Sequence, residues 1–199
     1  MKTKKLLFYL LAALLGGCVS SLHPLYTPKT LVFEEKLLGT WGENDDSWEF
    51  EEGSDPNSYD LTITSNGKKG KFIAHLVKFD KMLFLDLFPG ELECQVNEFY
   101  ALHLLPAHTF MKVEQIEPTL QMQWMDFNKI KSLLKNDPNL LKHEIVEDRI
   151  VLTASPEELQ DFIKKHANDE GFFGDASDLE RLVPQDPNDP NTIDPDNDK

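Results

Sequence analysis

Cysteine and arginine are scarce in this chain. Its 199 residues hold two cysteines, Cys18 and Cys94, and the arginines are Arg149 and Arg181. Two cysteines form one disulfide at most, and none once either is used otherwise, so no disulfide framework holds the fold. Positive charge is also short: 20 Lys and Arg face 35 Asp and Glu, for a formal net charge of −15. Nucleic acid needs a Lys/Arg surface against its phosphates, so this balance excludes it as a partner. Docking on anionic lipid by charge alone is excluded on the same ground. The chain has no apolar run of the ~20 residues that a membrane span needs.

Recognisable catalytic motifs are missing too. No Gly-x-Ser-x-Gly elbow and no His-Glu-x-x-His pair occurs. Gly67-Lys68-Lys69-Gly70-Lys71 lacks the spacing of a phosphate loop and reads as a basic hairpin turn. His75, His103 and His108 would make a metal site only if strands brought them together with a further ligand. Isolated strand histidines are the simpler reading. The acidic group Glu43, Asp45, Asp46, Glu49, Glu51 and Glu52 reads as a solvated loop and strand face. Cys94 has no His or Lys beside it to activate a thiol. The expectation is a non-catalytic protein without metal or cofactor; the alternative is an envelope enzyme using His103 and His108.

What the chain does contain begins at its start. Met1-Lys2-Thr3-Lys4-Lys5 is basic, Leu6 to Leu15 is apolar, and Gly16-Gly17-Cys18 follows. These are the three parts of a secretory signal. Leu15-Gly16-Gly17-Cys18 resembles the lipobox of bacterial lipoproteins. The resemblance implies that residues 1–17 are a signal peptide cut off before Cys18. It implies that the Cys18 thiol carries a diacylglycerol, and that the partners are a membrane and the lipoprotein-processing and sorting machinery. Two or three acyl chains anchor stably, since each buried methylene contributes about 0.8 kcal/mol. Val19 stands where an Asp commonly retains Gram-negative lipoproteins in the inner membrane, so the resemblance favours the outer membrane.

Residues 18–30 include Pro24 and Pro28 and show no helical or strand period, which predicts an extended tether. Residues 31–182 form one domain. Residues 183–199 repeat Asp and Pro with Ile193 the one apolar side chain after Val183, which predicts a disordered acidic tail.

Within the domain the dominant pattern is alternation, which gives strands one buried and one wet face. Trp48 and Phe50, then Tyr59, Leu61 and Ile63, then Leu120, Met122 and Trp124 alternate with polar residues. About eight strands are predicted between Leu38 and Met125. Two more are placed near Lys142–Val146 and Arg149–Ala154. Asn66-Gly67, Asp80-Lys81 and Glu117-Pro118 supply turns. A meander this long closes on itself to remove its edges. The predicted fold is therefore mainly β: an antiparallel barrel or strongly curved sheet with two covering helices. One helix runs behind an Asp126 cap through Phe127, Ile130, Leu133 and Leu134. The other starts at the capping box Ser155-Pro156-Glu157-Glu158 and carries Leu159, Phe162 and Ile163.

Residues 72–88 are apolar on both faces, so both need cover, and the helices are available to give it. Trp48, Phe50, Tyr59, Leu61, Ile63, Leu120, Met122 and Trp124 are the expected interior. They either fill the barrel or line a cavity for an apolar small molecule such as an acyl chain.

Two resemblances extend this reading. Ser21-Leu22-His23-Pro24-Leu25-Tyr26-Thr27, Leu37-Leu38-Gly39-Thr40-Trp41, Leu85-Asp86-Leu87-Phe88-Pro89-Gly90 and Leu104-Leu105-Pro106-Ala107-His108-Thr109-Phe110 resemble stretches of a group of uncharacterised bacterial lipoproteins. Gly39-Thr40-Trp41 is similar to the Gly-x-Trp that opens the first strand of lipocalins, where the Trp plugs one barrel end. That family covers the Trp with a basic residue late in its last strand. With the last strand placed at Arg149–Ala154, Arg149 falls at the wrong end for that role.

Overall fold

The computed structural model describes residues 19–43, 46–91, 97–101, 103–146 and 149–182. Cys18, Cys94, Asp45 and the tail from Val183 lie outside the described residues, as does the predicted signal peptide. The strands in chain order are β1 (Ser20–Ser21), β2 (Leu31–Val32), β3 (Gly39–Glu43), β4 (Asp46–Glu52), β5 (Ser58–Ser65), β6 (Lys68–Phe79), β7 (Met82–Pro89), β8 (Thr109–Gln115), β9 (Thr119–Met125), β10 (His143–Val146), β11 (Arg149–Leu152) and β12 (Phe173–Leu182). The helices are α1 (Glu98–Ala101), α2 (Phe127–Asn136) and α3 (Pro156–His166), with a 3-10 turn at Glu35–Leu37.

Strands β3 to β9 form a meander, and β12 closes it by pairing antiparallel with both β9 and β3. The pairing of β6 with β7 completes the ring, giving a closed, lipocalin-like antiparallel barrel of eight strands. Asn66, Gly67, Asp80 and Lys81 take positive φ, the conformation that these tight turns need. Short β2 continues one edge of the long β6.

The closing strand differs from expectation. Arg149–Leu152 is a strand but not a barrel strand: β11 joins β10 and β1 in a separate three-stranded sheet. The eighth barrel strand is Phe173–Leu182, whose sequence Phe-Gly-Asp-Ala-Ser-Asp-Leu-Glu-Arg-Leu has too few apolar residues to show a period. It is held by backbone pairing on both sides, and most of its side chains face water.

Two cores result. The inner one lies inside the barrel and includes Trp41, Phe50, Tyr59, Leu61, Leu76, Leu85, Met111, Leu120 and Met122. The outer one lies against the other face of the same sheet, where Val77, Phe79, Phe84, Phe110 and Met125 meet Ile130 and Leu134 of α2 and Leu159, Phe162 and Ile163 of α3. Thus β6 and β7 are apolar on both faces because each face has its own core. The Asp126 carboxylate accepts from the Lys129 amide at 2.7 Å and starts α2. The Ser155–Glu158 capping box, with Pro156 in the first turn, starts α3. Lys142 donates to the Glu158 carboxylate, and with the Ser155 amide this holds the Glu158 pKa down to about 2.

The predicted tether is a correction. The chain from Val19 to Thr30 passes from the short β1 through bends and a turn and is packed on the domain. Val19 is 6 % exposed and Ser21 and Leu25 are fully buried. Beyond β1 the stretch that holds Pro24 and Pro28 adds no helix or strand, yet it stays on the protein.

Candidate functional site

Two places carry arrangements beyond ordinary core packing. The first is the barrel end around Trp41. Gly39 takes φ +112°, a backbone conformation that side-chain-bearing residues rarely adopt, so this position favours glycine, and a Cβ there would come 2.9 Å from Nη1 at the end of the Arg181 side chain. Trp41 is fully buried, and its indole N–H donates to the Leu37 carbonyl at 2.8 Å. Arg181, paired in register with Trp41 across β12 and β3, sits over the indole with its guanidinium carbon 4.1 Å from the ring centroid. Its Nη1 and Nη2 donate to the carbonyls of Leu38 and Lys36 at 2.8 and 2.5 Å. The basic cover that Arg149 could not provide is therefore Arg181, on a strand the alternation did not reveal. Tyr59 receives the Glu34 amide on its hydroxyl at 2.7 Å and stacks on Phe33. Its burial pushes its pKa up to about 12. The segment from Phe33 to Leu37 thus closes this barrel end.

The expected interior residues fall into three groups. Phe50, Tyr59, Leu61, Leu120 and Met122 are buried inside. Trp48 and Ile63 are half-buried against them. Trp124 is a correction: it shares a face with Met122 and pairs with buried Met111, but it lies at the barrel end opposite Trp41 and is 38 % exposed. Contributions that single strands did not announce come from Ala74, Leu76, Leu85, Leu87, Met111 and Val113. The two best-formed depressions among the described residues lie away from this interior. One is walled by Asp126, Lys129 and Phe173, the other by Asn97, Phe99, Tyr100 and His103, and both are open to solvent.

The second place is a buried polar cluster on the outer face of the barrel. Asp86 on β7 is 1 % exposed. One carboxylate oxygen meets His108 Nδ1 at 2.7 Å and the other accepts the Leu25 amide at 2.7 Å. His75 pairs with Asp86 in register on β6 and lies against the Tyr26 ring, with centroids 4.3 Å apart. Burial lowers the His75 pKa, an effect that Asp86 partly opposes. Gln160 of α3 donates to the Leu25 carbonyl at 2.8 Å. Ser21 and His108 exchange two backbone hydrogen bonds.

The sequence placed no carboxylate near His108; Asp86 is 22 residues away in sequence but on the neighbouring strand. An Asp–His pair orients an imidazole, and catalysis needs in addition a nucleophile or substrate beside it. The chain's own Ser21–Tyr26 segment lies over this pair, held by the Leu25 amide on Asp86 and by Tyr26 against His75. His103 is elsewhere, exposed, with its Nδ1 2.9 Å from the Phe99 carbonyl. Among the described residues no group of three His, Cys, Asp or Glu is arranged to hold a metal.

Comparison with protein-family models, with curated proteins and with solved structures finds no match.

Proposed function

We propose that this chain is a lipoprotein of the bacterial cell envelope, anchored through lipid on Cys18, whose domain has a structural or protein-binding role. The occupied barrel interior is the observation that carries the second half. Trp41, Phe50, Tyr59, Leu61, Leu76, Leu85, Leu120 and Met122 are each no more than 2 % exposed, in the space where a carrier would hold its ligand. A barrel of eight strands has just enough interior for such side chains or for one small ligand. The enzyme alternative loses its pair, since His103 and His108 take part in different contacts. The first half rests on the basic start, the apolar run and Leu15-Gly16-Gly17-Cys18. Val19 after the cysteine favours the outer membrane of a Gram-negative cell.

Two measurements on protein purified from its own membrane test the two halves separately. The intact mass should show a chain starting at Cys18 with added diacylglycerol and acyl mass. A Cys18→Ser variant should lose that mass and leave the detergent phase; a variant still cut there and still membrane-bound overturns the anchor. Native mass spectrometry should then show no further bound molecule. A stoichiometric apolar ligand that survives release from the micelle would overturn the filled-barrel reading in favour of a carrier.

A further inference from the structure

We infer that the domain sits directly on the lipid surface and touches it with the β10–β11 hairpin, an inference that rests on the anchoring at Cys18 proposed above. The argument starts from slack. Val19, the residue after Cys18, is already buried, and Ser20 and Ser21 are already paired in a sheet. Neighbouring Cα atoms are about 3.8 Å apart. Acyl chains on Cys18 must therefore leave the protein within one residue of its surface, and the surface beside Val19 is brought against the bilayer.

Strand direction identifies that surface. β1 runs parallel to β11, with Ser20 beside Val151 and Ser21 beside Leu152. The N-terminal ends of the two strands lie together. Cys18 comes two residues before Ser20, and Arg149, at the hairpin tip, two residues before Val151. The facing strand β10 ends there, and Ile145 and Val146 are 55 and 57 % exposed. Two large aliphatic side chains in water beside the point where acyl chains emerge gain by entering the interfacial layer, and the Arg149 stem can reach along it to the headgroups. In sequence the stretch His143-Glu144-Ile145-Val146-Glu147-Asp148-Arg149 is acidic on balance, which suits a zwitterionic surface and not an anionic one.

The chain has a larger exposed apolar group in Phe99, Tyr100, Leu104 and Leu105, before His108. Direction argues against it as the lipid contact. Ser21 meets His108 in antiparallel sense, so the chain before Ser21 runs past Thr109, away from Leu105.

The test uses the full, processed protein carrying Cys94→Ser, in which lipidation blocks the remaining cysteine. Val146→Cys, Leu105→Cys and Lys69→Cys are labelled in turn with an environment-sensitive fluorophore. Each is reconstituted into phosphatidylcholine vesicles containing a nitroxide-labelled lipid, after the intact mass has confirmed the lipid. The label at 146 should be quenched several times more strongly than those at 105 and 69. Vesicles rich in phosphatidylglycerol should weaken that difference. Lipidated protein whose label at 146 stays unquenched, or is quenched less than that at 105, overturns the hairpin contact and leaves the anchor standing. A chain without lipid mass overturns the anchoring reading, and the contact with it.

Discussion

Arg181 covers Trp41. The guanidinium lies over the indole while its two terminal nitrogens hold the carbonyls of Leu38 and Lys36, so one side chain from the last strand ties down the start of the first barrel strand. It joins a cation–π contact, worth about 0.5–2 kcal/mol, to two charge-assisted hydrogen bonds. Arg181→Ala should lower stability by about 2–3 kcal/mol, read as a drop in the urea midpoint at unchanged slope. Arg181→Lys should recover only part of this, because an ammonium cannot hold both carbonyls and stack. An Arg181→Ala protein as stable as the parent would deny the pair any closing role.

Phe162 tests the outer core. It is 5 % exposed on α3 and meets Phe172 at 5.7 Å between ring centroids. Truncation to alanine should cost about 3–5 kcal/mol. The barrel should survive with its far-ultraviolet spectrum intact, since the inner core does not include this residue.

Asp86 tests the clamp on the N-terminal segment. Asp86→Ala leaves the buried Leu25 amide and His108 without their acceptor, at about 1–3 kcal/mol for each group left unpaired. The informative reading is local. Hydrogen exchange at Leu25 should lose its protection while amides of β4 and β5 keep theirs. Uniform loss across the chain would mean that Asp86 serves the barrel as a whole.

His75 sets a pH dependence. Its folded pKa is below the ordinary 6.5, chiefly through burial. The unfolded chain therefore takes up the proton first as pH falls. The contribution of this group to stability is complete above pH 6.5 and is lost below it, down through the lower folded value. Denaturant midpoints should fall between pH 7 and pH 5, and His75→Phe, which keeps a ring beside Tyr26, should flatten that fall. A profile unchanged by the substitution would place the titration elsewhere.

The parts of the fold that could be read from sequence are those in which side chains alone decide the pattern. Trp48 and Phe50, Tyr59 and Leu61, and Leu120 and Met122 alternate because one face of each strand is dry. Ser155 and Glu158 announce α3 because an N-cap is a local bargain among four residues. Phe173–Leu182 announces nothing: its place comes from backbone pairing on both edges, and Arg181 acquires its meaning only from a partner far back in the chain. The same holds for Asp86 and His108, whose proximity is a matter of strand register. Ser20–Thr30 misled for a third reason. Proline and the lack of period describe local conformation, whereas burial there depends on Asp86 accepting from the Leu25 amide and Gln160 donating to its carbonyl.

The late arrival of β12 has a consequence in time. Arg181 and the Leu38 carbonyl that it binds are 143 positions apart, and β10, β11, α2 and α3 all come between β9 and β12. Contacts between distant residues are slow to form, because the entropy of closing a long loop is lost before the contact returns anything. A chain emerging N-terminus first makes β3 early and β12 almost last. In the interval β3 and β9 both stand as open edges, ready to pair with another unfinished chain. Closure is then the step that ends this exposure. A chain stopped after α3 would keep both edges, and its fate would be decided by whichever reaches it first, a protease or a second copy.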